Sequence, residues 1–317
     1  MIVTVTLNAA IDRTLTVPNF QLGHRHRASQ GLTLAGGKGI NVARALKRLD
    51  IPVVATGLAG GRTGTRIVEE LTSEAILNDF VRIADESRTS SAVVDPTAGT
   101  YTEINEWGPH VEADELAMLL DKINYLARGA DMVVFAGTLP RGVEDSFYAE
   151  AIRELNRRNV RAVLDSEGPP LRLGAEAEAF LVTPNQREAE GLVGQELGDD
   201  EDYTMALDRI ADLGARNVLI TAETRSFGLF RVERKRVLFC ADAPQVEPVS
   251  AVGSGDVLLA AFLAARLEEK PLEDSLRAAV AAGAASTLEV GAGRFDPKEA
   301  SRLQSSVDVR ELEPVAG

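Results

Sequence analysis

A chain of 317 residues, 45% of them hydrophobic, is long enough to bury one large core. Its 34 basic and 48 acidic residues leave a net charge of −14, which argues against general nucleic-acid or membrane binding but allows a few cations in a cleft. The one cysteine, Cys240 in RVLFC, excludes an internal disulfide and a multi-cysteine zinc site, and reads as a buried strand residue in a reducing compartment.

The N-terminal MIVTVTLNAAIDR carries neither a basic leader nor a long apolar run, and no later stretch is an uncharged membrane span, so a cytoplasmic protein is expected. Ile2 to Leu7 is β-branched and short, a first strand. It ends at Asn8 to Asp12, polar residues just past a strand's carboxyl end, where α/β sheets hold ligands. Taken by itself, Asp12 reads as a turn-forming aspartate. Residues 14–20 and 28–35 are extended; His24 and His26 in HRHR lack a third ligand and read as a solvated turn. Ala35-Gly36-Gly37-Lys38-Gly39-Ile40-Asn41 then runs into VARALKRLD, a helix with Val42, Leu46 and Leu49 inward and Lys47 and Arg48 outward. Glycines and a lysine at a helix start suit an anion, because the first N–H groups are unpaired and the helix end is partially positive. The spacing is neither that of a Walker loop nor that of a dinucleotide fingerprint. A strand over 52–57 and a helix over 63–73 follow. Residues 80–107 change texture: FVRI, SSAVV and TYTEINE alternate as half-exposed strands about a turn at 95–99, and with 14–35 they make a small separate sheet. Arg88 opens one of these strands and, in a lid, would aim a planar fork at a phosphate.

From Val111 the pattern is regular: helix 113–128, strand 132–136, helix 145–158, strands 161–164 and 180–183, helices from Gln186 and over 202–213, and strand 218–221. Such alternation predicts a parallel sheet with helices on both faces. The strand ends carry Gly137-Thr138, Asp165-Ser166, Thr183-Pro184-Asn185 and Thr221, which marks the edge where a site belongs. Antiparallel strands over 228–232 and 236–240 precede VSAVGSGDVLLAAFLA (249–264), a glycine turn, Asp256 and a helix apolar on nearly every face. A carboxylate beside an anion cradle suits a base that takes a proton from a hydroxyl attacking a phosphate; the alternative is a plain helix cap. Alanine-rich helices close the chain. With no repeat or linker, residues 1–317 read as one domain, with lid strands inserted at about 13–35 and 86–107.

TLNAAID (6–12), GGKGINVARAL (36–46), SRTSSAVVDPTAGTYTEINEWGP (87–109), GTLPRGV (137–143), LDSEG (164–168), TPNQREAE (183–190), VGSGD (252–256) and GAGRFDP (291–297) occur in an order that resembles the ribokinase-like (PfkB) carbohydrate kinase family. Lys38 within GGKG, and Arg88, match its branch of 1-phosphofructokinases and tagatose-6-phosphate kinases. The resemblance implies a three-layer α/β sandwich with a central, mostly parallel sheet and a small β-sheet lid. It implies ATP and Mg²⁺ as cofactors, a phosphorylated ketohexose as substrate, and a homodimer formed through the lid. Asp256 matches the catalytic base, and Gly253, Ser254 and Gly255 match the anion hole. Asn185 and Glu188 match a motif that places Mg²⁺ and phosphate, through water; read alone, they would simply cap a helix. Asp12, Gly37 and Asn41 match positions that hold sugar hydroxyls, with Gly36 and Glu103 at the same substrate site. Lys38 and Arg88 match positions for the substrate's own phosphate, assisted by Thr138. Thr221, Glu223, Gly283 and Ser286 fall on the nucleotide side, although small-residue packing explains Ser286 equally well. Thr221-Ala222-Glu223 lacks the glycine usual there, Ala9 replaces a common proline, and so does Trp107. The expected reaction is phosphorylation of fructose 1-phosphate to fructose 1,6-bisphosphate, with tagatose 6-phosphate and fructose 6-phosphate as alternatives. Further rivals are a kinase of an unphosphorylated sugar or nucleoside and a non-catalytic sugar-phosphate sensor.

Overall fold

Strand β1 (Ile2–Thr6) is buried along its whole length, as a strand covered on both faces must be. The computed structural model describes residues 1–233 and 235–313. From β1 the chain enters a second sheet through β2 (Ala10–Thr16) and β3 (Gln30–Gly36), then returns in α1 (Lys38–Arg48) and β4 (Val53–Gly60). Helix α2 (Gly61–Ser73) and the short β5 (Leu77–Asn78) and β6 (Val81–Ile83) lead to a second excursion, β7 (Arg88–Asp95) and β8 (Thr100–Asn105). There follow α3 (Ala113–Leu126), β9 (Met132–Ala136), α4 (Phe147–Arg157), β10 (Arg161–Asp165), α5 (Gly168–Glu176), β11 (Leu181–Val182), α6 (Gln186–Val193), α7 (Asp200–Leu213) and β12 (Val218–Thr221). The hairpin β13 (Arg225–Val232) and β14 (Lys235–Asp242) precedes α8 (Ser254–Leu267), α9 (Leu272–Ser286), α10 (Pro297–Leu303) and β15 (Asp308–Leu312).

The large sheet runs β15-β14-β13-β12-β11-β10-β9-β1-β4-β5, with β6 also on β4. It is parallel from β12 to β5 and antiparallel from β12 to β15. One face buries a core with α1, α8 and α9, the other a core with α3, α4, α5 and α7. This is the α/β architecture that the alternation of strands and helices predicts. The second sheet has the order β3-β2-β7-β8, and its parallel β2–β7 pair sets Asp12 opposite Ser90.

Several details depart from the sequence reading. Strand β2 begins at Ala10, so Asp12 sits inside a strand of the small sheet rather than in a turn. Gly168–Glu176 is a helix; Pro169 and Pro170 occupy its first turn, where a missing N–H costs nothing. The charged segment Asp308–Leu312 adds an edge strand to β14. Helix α1 is buried from Gly39 to Leu46, because it packs between the large sheet and α8. Arg48 is consequently not simply outward: its Nη1 donates to the Phe295 carbonyl at 2.7 Å. Cys240 is buried, as its strand context predicts.

Candidate active site

Two helix starts converge where the parallel strands end. Gly37 caps α1 at φ 108°, and a Cβ there would meet Thr6 Cγ2 at 2.7 Å. Gly253 caps α8 at φ 78°, and a Cβ there would lie 2.8 Å from Ala292 Cβ. Backbone of this kind selects glycine. Neither helix has a side-chain cap, whereas α6 and α7 begin with capping boxes. The Ser254 N–H donates to the Ala251 carbonyl at 3.2 Å, but among the described residues the N–H groups of Lys38, Gly39 and Ile40 on α1 and of Gly255 and Asp256 on α8 have no protein partner and can meet a ligand.

Both ends open on one cavity of about 410 Å³, which also receives Asp12, Lys38, Asn41, Arg88, Glu103, Asn185, Glu188, Thr221, Gly253, Ser254, Gly255 and Asp256. Residues 200 and more apart in sequence meet there because β1, β10, β11 and β12 all end on the same edge. Five of the residues singled out from the sequence do not line it. Gly36 lies behind Asp12: a Cβ there would fall 1.9 Å from Asp12 Oδ2, so the glycine makes room for that carboxylate. Thr138 opens on a neighbouring cleft and accepts from Asn8 Nδ2 at 3.0 Å. Glu223 is exposed beyond the end of β12. Gly283 packs α9 against α8, with its Cβ position 3.2 Å from Leu258 Cβ, and Ser286 donates back to the Gly283 carbonyl at 2.7 Å.

Asp256 is 5% exposed, and its Oδ2 accepts from Asn41 Nδ2 at 2.8 Å. Burial, reinforced by the negative charge of Asp165, pushes its carboxyl up to about 7, against the opposing pull of Lys38 and Asn41. Burial likewise lifts Asp12 to about 6, with Arg88 pulling it down and Glu103 pushing it up. Lys38 Nζ donates to Asp165 Oδ1 at 2.8 Å and lies 3.6 Å from Glu188 Oε1. Burial opposes its charge, but Asp165, Glu188 and Asp256 more than offset that and hold it protonated. Glu188 has two jobs: Oε2 accepts from the Asn185 N–H at 2.8 Å in a capping box, while Oε1 faces Lys38. Burial raises its carboxyl. Arg88 reaches from the small sheet to the Asn8 carbonyl (3.3 Å) and Asn105 Oδ1 (2.9 Å).

A model of the pfkB family carbohydrate kinases matches residues 3–299. The chain belongs to that family. This pfkB kinase is 32% identical to the 1-phosphofructokinase of Borreliella burgdorferi over 289 residues, covering 91% of this chain and 92% of the relative. It is 32% identical to that of Bacillus subtilis over 297 residues, covering 93% and 96%. Its backbone superposes on Escherichia coli phosphofructokinase-2 in complex with fructose-6-phosphate with a TM-score of 0.85, at 28% identity, covering 96% of this chain and 98% of that one. It is a phosphotransferase that acts on a sugar hydroxyl.

Ser90, Asn105, Asp165 and Thr183 also line the cavity of this kinase and are not among the site residues that the motifs give. Asp165 stood out only as polarity at a strand end; its importance comes from Lys38, 127 positions away. For Mg²⁺, the fit of the residues is that of a hydrated ion. Among the described residues no group of three or more His, Cys, Asp or Glu is gathered into a cage. Yet Asp165, Asn185 and Glu188 share the cavity wall with Thr183, whose buried Oγ1 has no partner among the described residues. Oxygen donors spaced this way suit Mg²⁺, which keeps several waters and binds largely through phosphates. Among the described residues no helix is long and apolar enough to cross a membrane.

Proposed function

We propose that this pfkB kinase transfers the γ-phosphoryl group of ATP to a hydroxyl of a ketohexose phosphate, with fructose 1-phosphate as the preferred acceptor and fructose 1,6-bisphosphate as product. The observation that carries this reading is the buried Asp256 in the first turn of an uncapped helix, with Lys38 and Arg88 opening on the same cavity. Asp12 and Asn41 orient the sugar, and Lys38 and Arg88 hold the phosphate it already carries. The acceptor hydroxyl gives its proton to Asp256 as its oxygen bonds to the γ-phosphorus; the bond from that phosphorus to the β,γ-bridging oxygen breaks and ADP leaves. A carboxyl near 7 is matched to that proton transfer at neutral pH. In the 253–256 turn, the N–H groups of Gly253, Gly255 and Asp256 face the charge developing on the transferred group, while that of Ser254 is held by the Ala251 carbonyl. Mg²⁺, held through water by Asn185, Glu188 and Asp165, would neutralise charge on the ATP phosphates. The small sheet serves as a lid that excludes water from the transfer, and its exposed face makes a homodimer.

Fructose 6-phosphate stands second, favoured by the likeness to a phosphofructokinase-2 that binds it. The deciding experiment is ADP release with Mg·ATP against fructose 1-phosphate, fructose 6-phosphate, tagatose 6-phosphate, fructose and adenosine in parallel. One ketohexose phosphate should dominate in kcat/KM, and Arg88→Ala should raise its KM at least tenfold, in line with loss of a charge-assisted contact. Turnover of fructose or adenosine alone would remove the phosphate-holding roles of Lys38 and Arg88. Equal activity in Asp256→Asn and wild type would remove the base.

A further inference from the structure

Arg44 lies one helical turn past Asn41 on α1 and is only 2% exposed despite its charge. All five of its N–H groups have partners. Nε donates to Glu74 Oε2 (2.6 Å); Nη2 donates to Glu74 Oε1 (2.9 Å) and to the Ala35 carbonyl (2.7 Å). Nη1 donates to Asn41 Oδ1 (3.2 Å) and to the Ala292 carbonyl (3.1 Å). A guanidinium supplies five donors in a fixed plane; a lysine has three and no plane. Full satisfaction of a buried charge is what its burial requires.

Apart from Glu74 at the end of α2, the partners come from three places beside or on the cavity wall. Ala35 belongs to β3 of the small sheet. Ala292 is the residue that a Cβ on Gly253 would strike. Asn41 is the donor to Asp256. An asparagine amide has one acceptor end and one donor end. With Oδ1 taken by Arg44, Nδ2 must face Asp256; the reversed amide would set N–H against N–H at one end and oxygen against carboxylate at the other. Among the described residues no protein donor reaches the second Asp256 oxygen, Oδ1.

We propose that Arg44 is a positioning residue for phosphoryl transfer: it locks the Asn41 amide so that Nδ2 holds Asp256 Oδ2 and leaves Oδ1 for the acceptor hydroxyl. It also ties β3 and the Ala292 loop to the same point, so that small sheet, anion loop and base share one reference. The inference rests on the reading of Asp256 as the base. Arg44 itself does not line the cavity.

The test compares Arg44→Lys, Asn41→Ala, their double variant and Glu74→Gln by initial rates across pH 5.5–9, with thermal melts alongside. Asp256 is faced by Asp165 from β10, by Lys38 and Asn41 from α1, and by Asp12 from β2. Among these Asn41 lowers its pKa, so a lost or misdirected amide moves the acidic limb of kcat to higher pH. Arg44→Lys should lower kcat about 10- to 100-fold, part of what a general base contributes, and shift that limb upward, with KM for Mg·ATP within about twofold of wild type. Asn41→Ala should show the same limb shift, and the double variant no more than either. Glu74→Gln, which removes the charge partner but keeps the Asn41 contact, should melt earlier with the limb unmoved. An unshifted limb in Arg44→Lys, or additive shifts in the double variant, overturns the proposal. If Arg44→Lys does not fold, the wild-type Asn41 side-chain N–H resonances decide: they should resist exchange and titrate with the acidic limb, and exchange like that of an exposed asparagine overturns it. Failure of the base reading is separate, since it appears as activity in Asp256→Asn.

Discussion

Lys38 Nζ sits 2.8 Å from Asp165 Oδ1, so the first residue of α1 is tied to the last residue of β10 across the mouth of the cavity. With Glu188 Oε1 a further 3.6 Å contact, one cation balances two carboxylates that would otherwise repel both Asp256 and an incoming phosphate. Lys38→Met removes that balance. It should lower kcat/KM for the sugar phosphate by about 100-fold or more, the scale of a desolvated charge-assisted contact. It should also shift the acidic limb upward, since Lys38 is among the groups that lower the Asp256 pKa. Lys38→Arg keeps the charge and should retain most of the affinity. Initial-rate kinetics over pH 5.5–9 measure both effects; a limb unmoved in Lys38→Met would separate Lys38 from the base.

Asp256→Asn should cost about 10²- to 10⁴-fold in kcat, the contribution of a general base, with KM nearly unchanged. It should also stabilise the fold. Asp256 and Asp12 are raised to about 7 and about 6, from ordinary values of 3.8. Between those limits the folded state binds more protons than the unfolded one, so these groups make stability fall as pH rises from about 4 to about 7. Asp85, Glu86 and Asp95, whose pKa values are lowered, act in the opposite sense, so the comparison with the variant isolates one group. The Tm of Asp256→Asn should exceed that of wild type at pH 8, and the gap should close near pH 4. Melting curves at the two pH values check it.

Elements whose burial follows their own sequence were legible in it. IVTVT, MVVFA and VLIT are strands because β-branched and apolar runs fit a sheet covered on both faces. The two glycine loops announced helix starts, because few other residues accept the backbone of Gly37 and Gly253. What stayed hidden depends on partners far away in the chain. Arg44 in VARAL looks like any helix-surface arginine; Glu74, Ala35 and Ala292, brought by three other segments, make it a buried hub. Asp165 gains its place from α1, and the helix over Gly168–Glu176, with its prolines in the first turn, had no counterpart among the predicted elements. Ser286 and Gly283, which the resemblance places on the nucleotide side, are buried where α8 and α9 pack closely, in keeping with the small-residue packing that the sequence allowed equally for Ser286.

The two glycines flanking Ser254 should separate fold from function. At Gly253, φ is 78° and a Cβ would press on Ala292, so Gly253→Ala should destabilise by about 1–3 kcal/mol, the cost of an L-residue held in a strained region. Gly255 lines the cavity, and among the described residues a Cβ there would meet no atom within 4 Å beyond its chain neighbours and its own helix backbone. Inside a helix, Gly255→Ala should gain about 0.5–1 kcal/mol from backbone entropy. It should nevertheless raise KM for Mg·ATP and lower kcat, because the methyl group occupies ligand space. Denaturant melts with parallel kinetics test the contrast, and a fully active Gly255→Ala would remove the 253–256 backbone from the transfer step.

The small sheet ends at β8, whose six residues are all exposed, among them Ile104 at 65%, and Trp107 just beyond is 88% exposed. Apolar side chains on an open edge strand invite pairing, and a chain that keeps them needs something to cover them. A second copy would meet that need, as the proposed homodimer requires: two small sheets packed together would hide both faces and hold each sheet over its cavity. The pairing should appear as a dimer in sedimentation velocity at micromolar protein. Ile104→Glu with Trp107→Glu places like charges at the contact and should yield monomers with unchanged far-UV circular dichroism. Because Arg88 and Asp12 stand on β7 and β2 of the same sheet, the monomer should also lose affinity for the sugar phosphate more than for Mg·ATP. A wild-type monomer at those concentrations would end the argument for a lid interface.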